Sequence, residues 1–262
     1  AVGVYRRENP DQTITEDQVL DHYSREEVIS YGKQVAWNQL WRNFCVSDTF
    51  EPGSPSKILT VAAGLEEGIL KGNEYFDCGG YLHVGDWDIK CTAYRRGGHG
   101  SLSLTESIMQ SCNVAMMRIG AMMGRDIFTK YQTIFGMGQK TGVDLPGEAD
   151  AAGLVYSADK MGPTELATNA FGQNYNCTMI QMAAALCSVI NGGSYYEPHV
   201  VRQILNEQGS VVERKDPVLV RETVSQSTSD FLKEAMFQTV ENGTGGAAKV
   251  AGYQVGGKTG TA

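Results

Sequence analysis

The chain has 262 residues and a formal net charge of −8, a length that suits one large domain or two small ones. Hydrophobic residues make up 42% and charged residues 20%, which is the composition of a globular protein. Acidic residues outnumber basic ones, and no run of lysine and arginine exceeds two residues, so we exclude a nucleic-acid partner. The longest mostly apolar run, residues 179–190, is too short to span a bilayer.

The first elements of the chain are predicted from short local signals. The opening AVGVY, residues 1–5, predicts a strand. Ser24 and Glu27 have the spacing of a capping box before apolar residues at helical intervals, which predicts an amphipathic helix. Another helix is predicted from Pro55, a residue type favoured at the first helical position, to a glycine stop at Gly68.

The stretch CGGYLHVGDWDIKC, residues 78–91, predicts a β-hairpin. Its turn would be the two-residue type with glycine first, at Gly85 and Asp86. The register that follows pairs three residues of one strand with three of the other: Val84 with Trp87, Leu82 with Ile89, and His83 with Asp88. Such a hairpin would bring Cys78 and Cys91 close together.

The rest of the chain predicts mainly helices. A capping box at Ser103 and Glu106 starts a helix that precedes the tripeptide SCN, residues 111–113. The helical stretch after this tripeptide stops at Gly124. The remaining predicted elements are a helix over 125–136, a loop over 144–153, a buried helix within 176–193, a hairpin around 208–209, a helix over 227–243 and a strand within 250–262.

A serine and a lysine stand three residues apart where a loop becomes a helix, in EPGSPSKILTVAAGLEEG. Residues three apart share a helix face and adjacent residues do not, so Lys57 can reach the hydroxyl of Ser54 but not that of Ser56. A serine hydroxyl needs a base to become a nucleophile, and a lysine can be that base if burial and nearby positive charge lower its pKa. Taken alone, the pattern equally describes an N-cap serine followed by a surface lysine.

Two later tripeptides change the interpretation of this pair. SCN at 111–113 offers a hydroxyl and a carboxamide between two helices, and KTG at 258–260 offers a cation and a hydroxyl beside glycine. Each is common by itself. In the order S-x-x-K, S-x-N, K-T-G, they form the motif set of penicillin-binding proteins and class A β-lactamases.

With these motifs the sequence resembles the transpeptidase domain of class B penicillin-binding proteins, particularly the division and sporulation type. The resemblance runs from about Trp41 to Ala262. It rests on the stretches RNFCVSDTFEPGSPSK, HGSLSLTESIMQSCNVAMMRIG, FGMGQKTGVDLPGEA, AFGQNYNCTMIQMAAALCSVINGG and VAGYQVGGKTGTA. One departure is SPSK, because the family usually carries threonine and an aromatic residue at the two middle positions.

The resemblance implies an α/β fold of the α+β kind, with a mostly antiparallel sheet covered by helices and an all-helical part that carries Ser111. The whole chain, 1–262, would be one transpeptidase domain that is incomplete at its C-terminus. The expected site lies between the helical part and an edge strand that carries Lys258. The membrane anchor and any N-terminal module are expected to be absent from this chain.

The resemblance also implies roles for five residues in acyl transfer. Ser54 would attack the carbonyl between two D-alanines, and Lys57 would take its proton. Ser111 would relay a proton towards the leaving D-alanine, and Asn113 would bind the substrate's amide. Lys258 would supply positive charge that helps to keep Lys57 neutral. An amine from a neighbouring stem peptide would then resolve the acyl-enzyme into a cross-link.

The residues after Lys258 are implied to bind substrate. The implied substrate-binding residues are Thr259, Gly260 and Thr261. Thr259 and Thr261 would hold the terminal carboxylate, and the N–H groups of Ser54 and Thr261 would form the oxyanion hole. No cofactor is needed for this chemistry. The implied partners are stem peptides ending in D-Ala-D-Ala, β-lactam antibiotics and a membrane glycosyltransferase. The implied location is the extracytoplasmic face of the bacterial membrane, held by an N-terminal helix that is not in this chain.

Two alternatives share the same motifs. A class A β-lactamase needs a carboxylate that activates the deacylating water, and the nearest candidate is Glu165 in TELATN, whose order Glu-Leu-x-x-Asn differs from the expected Glu-x-x-Leu-Asn. A penicillin-sensing receptor domain would also be acylated but would not turn over.

A second group of residues could bind a metal. Cys78, Cys91, His99 and the neighbouring Asp77 offer thiolate, imidazole and carboxylate, which suit a structural zinc ion outside the acyl-transfer chemistry. Free thiols and a Cys78–Cys91 disulfide are the alternatives, because the spacing fits no standard zinc finger. The other four cysteines are assigned to ordinary packing: Cys45, Cys112, Cys177 and Cys187.

Overall fold

The computed structural model describes residues 23–260, so the strand predicted over residues 1–5 and the predicted role of Thr261 lie outside the described residues. The helices of the described range are α1 (Arg25–Trp41), α2 (Phe44–Ser47), α3 (Ser56–Glu66), α4 (Leu104–Met109), α5 (Asn113–Ile134), α6 (Pro163–Asn169), α7 (Met179–Ile190) and α8 (Gln226–Asn242). The strands are β1 (Thr49–Phe50), β2 (Tyr75–Cys78), β3 (Tyr81–Val84), β4 (Trp87–Lys90), β5 (Gly100–Ser103), β6 (Cys177–Thr178), β7 (Ser194–Tyr196), β8 (Gln203–Leu205), β9 (Val211–Arg214) and β10 (Leu219–Glu222).

The strands form short antiparallel pairs, which together with the helices confirm the predicted α+β class. The pairs within residues 23–260 are β1 with β6, β2 with β5, β3 with β4, β7 with β10, and β8 with β9. None of these pairs is joined by hydrogen bonds to another pair in this part of the chain, so the mostly antiparallel sheet is present as separate two-stranded ladders.

The core is built around α3, which is apolar on almost every side. Nine of its eleven residues are buried, which is the pattern of a helix enclosed by other elements. It packs against α5, α7 and α8. Gly64 leaves room for the chain to fold back after the helix, because a Cβ there would lie 2.7 Å from a methyl carbon of Leu70. This enclosure holds the first turn of α3 in a fixed position.

Local signals placed most elements correctly. The capping boxes at Ser24 and Ser103 are both present, and the β3–β4 hairpin has the predicted register, with Val84 opposite Trp87. The helix break falls at Gly124, which has φ 73° and ψ 165° inside α5. Such a positive φ is readily adopted only by glycine.

Three features differ from the sequence predictions. Helix α1 begins at its predicted capping box, but none of its residues is buried. Trp37 stacks on Trp41 at the surface, with ring centroids 5.8 Å apart. Helix α7 buries only one face, since Ile190 is exposed. The strand predicted over 250–262 is wrong for its described part, residues 250–260. A strand needs a neighbour for its ladder, and this segment is instead attached to α8 by the Gly257 N–H donating to the Met236 carbonyl at 3.1 Å.

Candidate active site

Ser54 occupies a tight turn immediately before α3. Its neighbour Gly53 donates its N–H to the carbonyl of Gly172 at 2.8 Å. Gly172 has φ 91°, and a Cβ there would lie 1.9 Å from the Gly53 oxygen, so this contact requires glycine. Ser54 is partly exposed, whereas Ser56 is buried and shares a 2.7 Å hydrogen bond with the hydroxyl of Tyr175. Of the two serines, only Ser54 can meet a ligand from solvent.

Lys57 is completely buried, with 0% of its surface exposed. Its Nζ donates to the main-chain oxygen of Ser111 at 2.7 Å, to the Ser111 Oγ at 3.0 Å and to the Asn113 Oδ1 at 2.6 Å. Three acceptors satisfy the three donors of an ammonium group. The second motif therefore surrounds the lysine of the first.

Ser111 connects both lysines to Ser54. Its Oγ donates to the Ser54 Oγ at 3.0 Å and accepts from the Nζ of Lys57 and, at 2.9 Å, from the Nζ of Lys258. The spacing S-x-x-K predicts a direct bond between Ser54 and Lys57, but the structure joins them through Ser111. Ser111 has φ 53°, an unusual value for a residue with a side chain, which persists only where the surroundings hold it.

Burial lowers the pKa of both lysines, and a neighbouring positive charge lowers that of Lys57 further. Burial, reinforced by the positive charge of Lys258, lowers the pKa of Lys57 to about 7. Burial lowers the pKa of Lys258 to about 8. A lysine with a pKa near neutrality can accept a proton at the pH of a cell. The structure thus gives Lys57 the property that a base for Ser54 requires.

The third motif lies beside the first two. The Nζ of Lys258 also donates to the main-chain carbonyl oxygen of Thr259 at 3.1 Å. The side-chain Oγ1 of Thr259 lies 2.9 Å from the Oγ1 of Thr244. Thr244 is fixed in turn by donating its N–H to the Met109 carbonyl at 3.1 Å. Gly260 lies close to Pro55, and a Cβ on Gly260 would be 3.3 Å from the proline ring. No motif in the sequence pointed to Thr244, which orients Thr259.

A cluster of sulfur and nitrogen atoms lies behind the second motif. Cys78, Cys91, His99 and Cys112 each place one potential ligand atom so that all four atoms lie within 4.8 Å of one another. The three cysteines are buried and free, and His99 is partly exposed. The pKa of Cys91 lies below its ordinary value because its sulfur accepts hydrogen bonds from Cys112 and from main-chain N–H groups, including that of Asn113.

The cluster differs from the predicted metal group in one member. Neighbouring residues of a strand point to opposite faces, so in β2 Cys78 is buried while Asp77 is exposed on the other side. Cys112 takes the place that Asp77 was given. It was missed because it lies inside the motif SCN, which was interpreted through its neighbours Ser111 and Asn113.

Fold and site together define a class of protein. A partly exposed serine joined through a second serine to two lysines is the arrangement of S-x-x-K acyl-transfer proteins. Within this class, the chain belongs to the family of penicillin-binding protein transpeptidase domains. The model of that family, described as "Penicillin binding protein transpeptidase domain", matches residues 11–262. The predicted class B membership is confirmed by the relatives that follow.

Stage V sporulation protein D of Bacillus subtilis strain 168 is 39% identical over 224 residues, which cover 84% of this chain and 34% of that protein. Among solved structures, the D,D-transpeptidase domain of a peptidoglycan glycosyltransferase from Eggerthella lenta has a TM-score of 0.78 at 25% identity, covering 89% of this chain and 60% of that one. Penicillin-binding protein 3 of Mycobacterium tuberculosis has a TM-score of 0.74 at 30% identity, covering 84% and 50%. The chain spans about a third of the length of the curated relatives it matches.

Proposed function

We propose that this chain is a peptidoglycan D,D-transpeptidase that works through an acyl-enzyme on Ser54. The observation that carries the proposal is the fully buried Lys57, with its pKa lowered to about 7 and its Nζ linked through Ser111 to the Ser54 hydroxyl. Lysine is otherwise a solvated surface residue. Its burial beside a partly exposed serine supports a catalytic base better than it supports a structural role.

In the proposed acylation, the Ser54 Oγ attacks the carbonyl carbon between the two terminal D-alanines of a stem peptide. Ser54 passes its proton to the Ser111 Oγ, and Ser111 passes its own to the neutral Nζ of Lys57, along the 3.0 Å contacts that join these groups. Lys57 then returns a proton through Ser111 to the departing D-alanine nitrogen. The C–N bond breaks, and the peptide remains attached to Ser54 as an ester.

In the proposed second half-reaction, an amine from a neighbouring stem peptide attacks this ester. The attacking amine gives a proton to the neutral Nζ of Lys57, and a proton passes from Lys57 through Ser111 to the Ser54 oxygen as the ester C–O bond breaks. Ser54 is regenerated, and the new peptide bond cross-links the two stems. Binding of the substrate carboxylate is assigned to Lys258, Thr259 and Gly260 with Thr261, and binding of the substrate's amide to Asn113. The contact of Thr259 with Thr244 supports its part, because it fixes the hydroxyl.

The names of relatives support the substrate and inhibitor classes. The Eggerthella lenta structure is called a D,D-transpeptidase domain, and penicillin-binding protein 3 of Mycobacterium tuberculosis has been solved with aztreonam and with ampicillin. We therefore propose that β-lactams acylate Ser54. We also propose a glycosyltransferase partner, an extracytoplasmic location and an N-terminal membrane anchor. No helix within residues 23–260 is both long and apolar enough to cross a membrane.

The test is intact-mass measurement after incubation with benzylpenicillin. The parent protein should gain one long-lived adduct, and Ser54→Ala should gain none. Ser56→Ala is the matched control, because it removes a hydroxyl two residues away that faces Tyr175, and it should be acylated like the parent. Peptide mapping should place the adduct on Ser54.

Other outcomes contradict the proposal in different ways. An adduct that survives Ser54→Ala would move the nucleophile elsewhere. Rapid loss of benzylpenicillin without a trapped adduct would identify a β-lactamase. An unreacted parent protein with a cooperative unfolding transition would show that a folded site lacks the activity. A stable adduct without turnover of a D-Ala-D-Ala peptide would identify a penicillin sensor.

A further inference from the structure

We propose that Cys78, Cys91, His99 and Cys112 form a structural zinc site that holds the segment of Ser111 in its active conformation. The site is separate from the acyl-transfer groups. Four ligands and no open position describe a closed site, which is the structural kind. Each cysteine would bind as a thiolate and His99 through a neutral ring nitrogen, so binding would release the thiol protons to solvent.

Distances among the four ligand atoms support a common centre. The Nδ1 of His99 lies 3.6 Å from the sulfur of Cys78 and 3.6 Å from that of Cys91. The sulfurs of Cys91 and Cys112 lie 3.9 Å apart. Tetrahedral zinc with bonds of about 2.3 Å to sulfur and about 2.0 Å to nitrogen places two sulfurs about 3.8 Å apart, and sulfur and nitrogen about 3.5 Å apart.

Four separate segments converge to make this cluster. Cys78 ends β2 and accepts the His99 N–H at 3.0 Å through its carbonyl, while the Cys91 N–H donates to Gly80 at 2.8 Å across the base of the hairpin. Gly98 makes the approach of His99 feasible. It has φ 102°, and a Cβ there would lie 2.0 Å from the Cys78 oxygen. The backbone is therefore shaped so that His99 meets the two strand-end cysteines.

A disulfide fits the cluster less well than a metal. The 3.9 Å between the sulfurs of Cys91 and Cys112 is well beyond the roughly 2.05 Å of a disulfide bond. A disulfide would also use two of the three buried thiols and leave the third beside His99 without a role. A single zinc ion uses all four groups.

The cluster is joined directly to the second motif. Cys112 stands between Ser111 and Asn113, and its sulfur accepts the Ala115 N–H at 3.4 Å as the N-cap of α5. The Asn113 N–H donates to the Cys91 sulfur at 3.3 Å. A metal that fixed both sulfurs would thus fix the residues on each side of Cys112, including Ser111 in its left-handed conformation.

Metal content is the first test, and it needs no assay of penicillin binding. Protein expressed with zinc in the medium and purified untagged, under reducing conditions and without chelators, should carry about one zinc per chain by inductively coupled plasma mass spectrometry. Cys78→Ser and His99→Gln should lose it. Cys187→Ser should keep it, because Cys187 is exposed on α7. A metal-free parent that fails to take up added zinc would overturn the proposal, and so would iron in place of zinc or full zinc content in Cys78→Ser.

Thiol alkylation of the parent keeps the test decisive if the variants do not fold. Because these thiols are buried, iodoacetamide is added in urea just below the unfolding transition, where buried groups are exposed transiently. With zinc, Cys78, Cys91 and Cys112 should be labelled slowly, and a chelator should speed the labelling of all three. Cys187 should react equally in both states. Equal labelling of the three buried cysteines with and without zinc would contradict the site.

The effect on the active site is measured separately. Removing zinc with a chelator should slow acylation of Ser54 by roughly 10-fold or more, the size seen when groups that orient a site are lost, and added zinc should restore the rate. An unchanged rate after loss of zinc would overturn the claim that the metal holds Ser111. Failure of acylation in the zinc-loaded protein would instead count against the transpeptidase proposal.

Discussion

The Oγ of Ser111 lies 3.0 Å from the Oγ of Ser54 and 3.0 Å from the Nζ of Lys57, so it bridges the first serine and the first lysine. Ser111 also accepts from the Nζ of Lys57 and of Lys258. Among the described contacts, it is therefore the one group that touches both the Ser54 hydroxyl and the two amines. The charge state of those amines should govern acylation.

Acylation by benzylpenicillin should follow a bell-shaped pH profile. Lys57 must be neutral to accept a proton, so the rate should rise as pH passes about 7, the lowered pKa of Lys57. Lys258 should act as a cation, so the rate should fall above about 8, its own lowered pKa. Second-order acylation constants across this range check the profile. A rate that is level from acid to alkaline pH would contradict the assignment of Lys57.

Asn113→Asp should move the rising limb of that profile to higher pH. The Asn113 Oδ1 lies 2.6 Å from the Nζ of Lys57, and a carboxylate there would favour the charged lysine and raise its pKa, by about one unit or more. Acylation at pH 7 should therefore slow by roughly 5-fold or more. Asn206→Asp is the matched control, since Asn206 caps an exposed hairpin loop through the same kind of oxygen. If the rising limb of the profile falls at the same pH in Asn113→Asp as in the parent, residue 113 does not affect the pKa of Lys57.

Lys57→Met should change stability in a pH-dependent way. The pKa of Lys57 is about 7 in the fold and 10.5 as its ordinary value, so the unfolded chain binds more protons between these values. The free energy of unfolding of the parent should then rise relative to that of the variant as pH increases, by about 2 kcal/mol from about pH 6 to about pH 9. Urea unfolding of both proteins measures the difference. A difference that is flat or that falls with pH would show that Lys57 is not held in a neutralising environment.

Gly98→Ala should destabilise the protein more than Gly97→Ala. Both glycines have positive φ, 102° and 82°, but an added Cβ meets the Cys78 oxygen at 2.0 Å at Gly98 and nothing within 4 Å at Gly97. Gly97→Ala should cost about 1–2 kcal/mol for the left-handed conformation alone. Gly98→Ala should exceed it by at least about 1 kcal/mol, since a backbone atom must move. Denaturant unfolding compares the pair, and equal losses would show that the close approach of residue 98 to β2 is not needed.

Short-range signals were sufficient for much of the fold. The hairpin register followed from a two-residue turn at Gly85, and two capping boxes gave the starts of α1 and α4. Both depend on hydrogen bonds between residues at most a few positions apart. The strand predicted over 250–262 failed in its described part because alternation does not provide a pairing partner. The exposed face of α1 shows the same limit, since periodicity does not say what covers a helix.

The sequence predicted the site residues that lie in the three motifs. It did not predict the contacts that form only when separate segments come together in the fold. Spacing singled out Ser54 over Ser56, and the structure buries Ser56 while it leaves Ser54 partly exposed. That Ser111 would come between Ser54 and Lys57 needed the three-dimensional structure, because Ser111 lies between α4 and α5, 57 residues along the chain from Ser54. Cys112 and Thr244 were missed because no local pattern links Cys112 to Cys91, 21 residues away, or Thr244 to Thr259, 15 residues away.

The most direct test of acyl transfer is exchange of the terminal D-alanine of a stem-peptide analogue for a labelled D-amino acid, followed by mass spectrometry. We expect release of D-alanine and a product that carries the label, both lost in Ser54→Ala and retained in Ser56→Ala. Hydrolysis without incorporation of the label, or incorporation that persists in Ser54→Ala, would contradict a transpeptidase that works through Ser54.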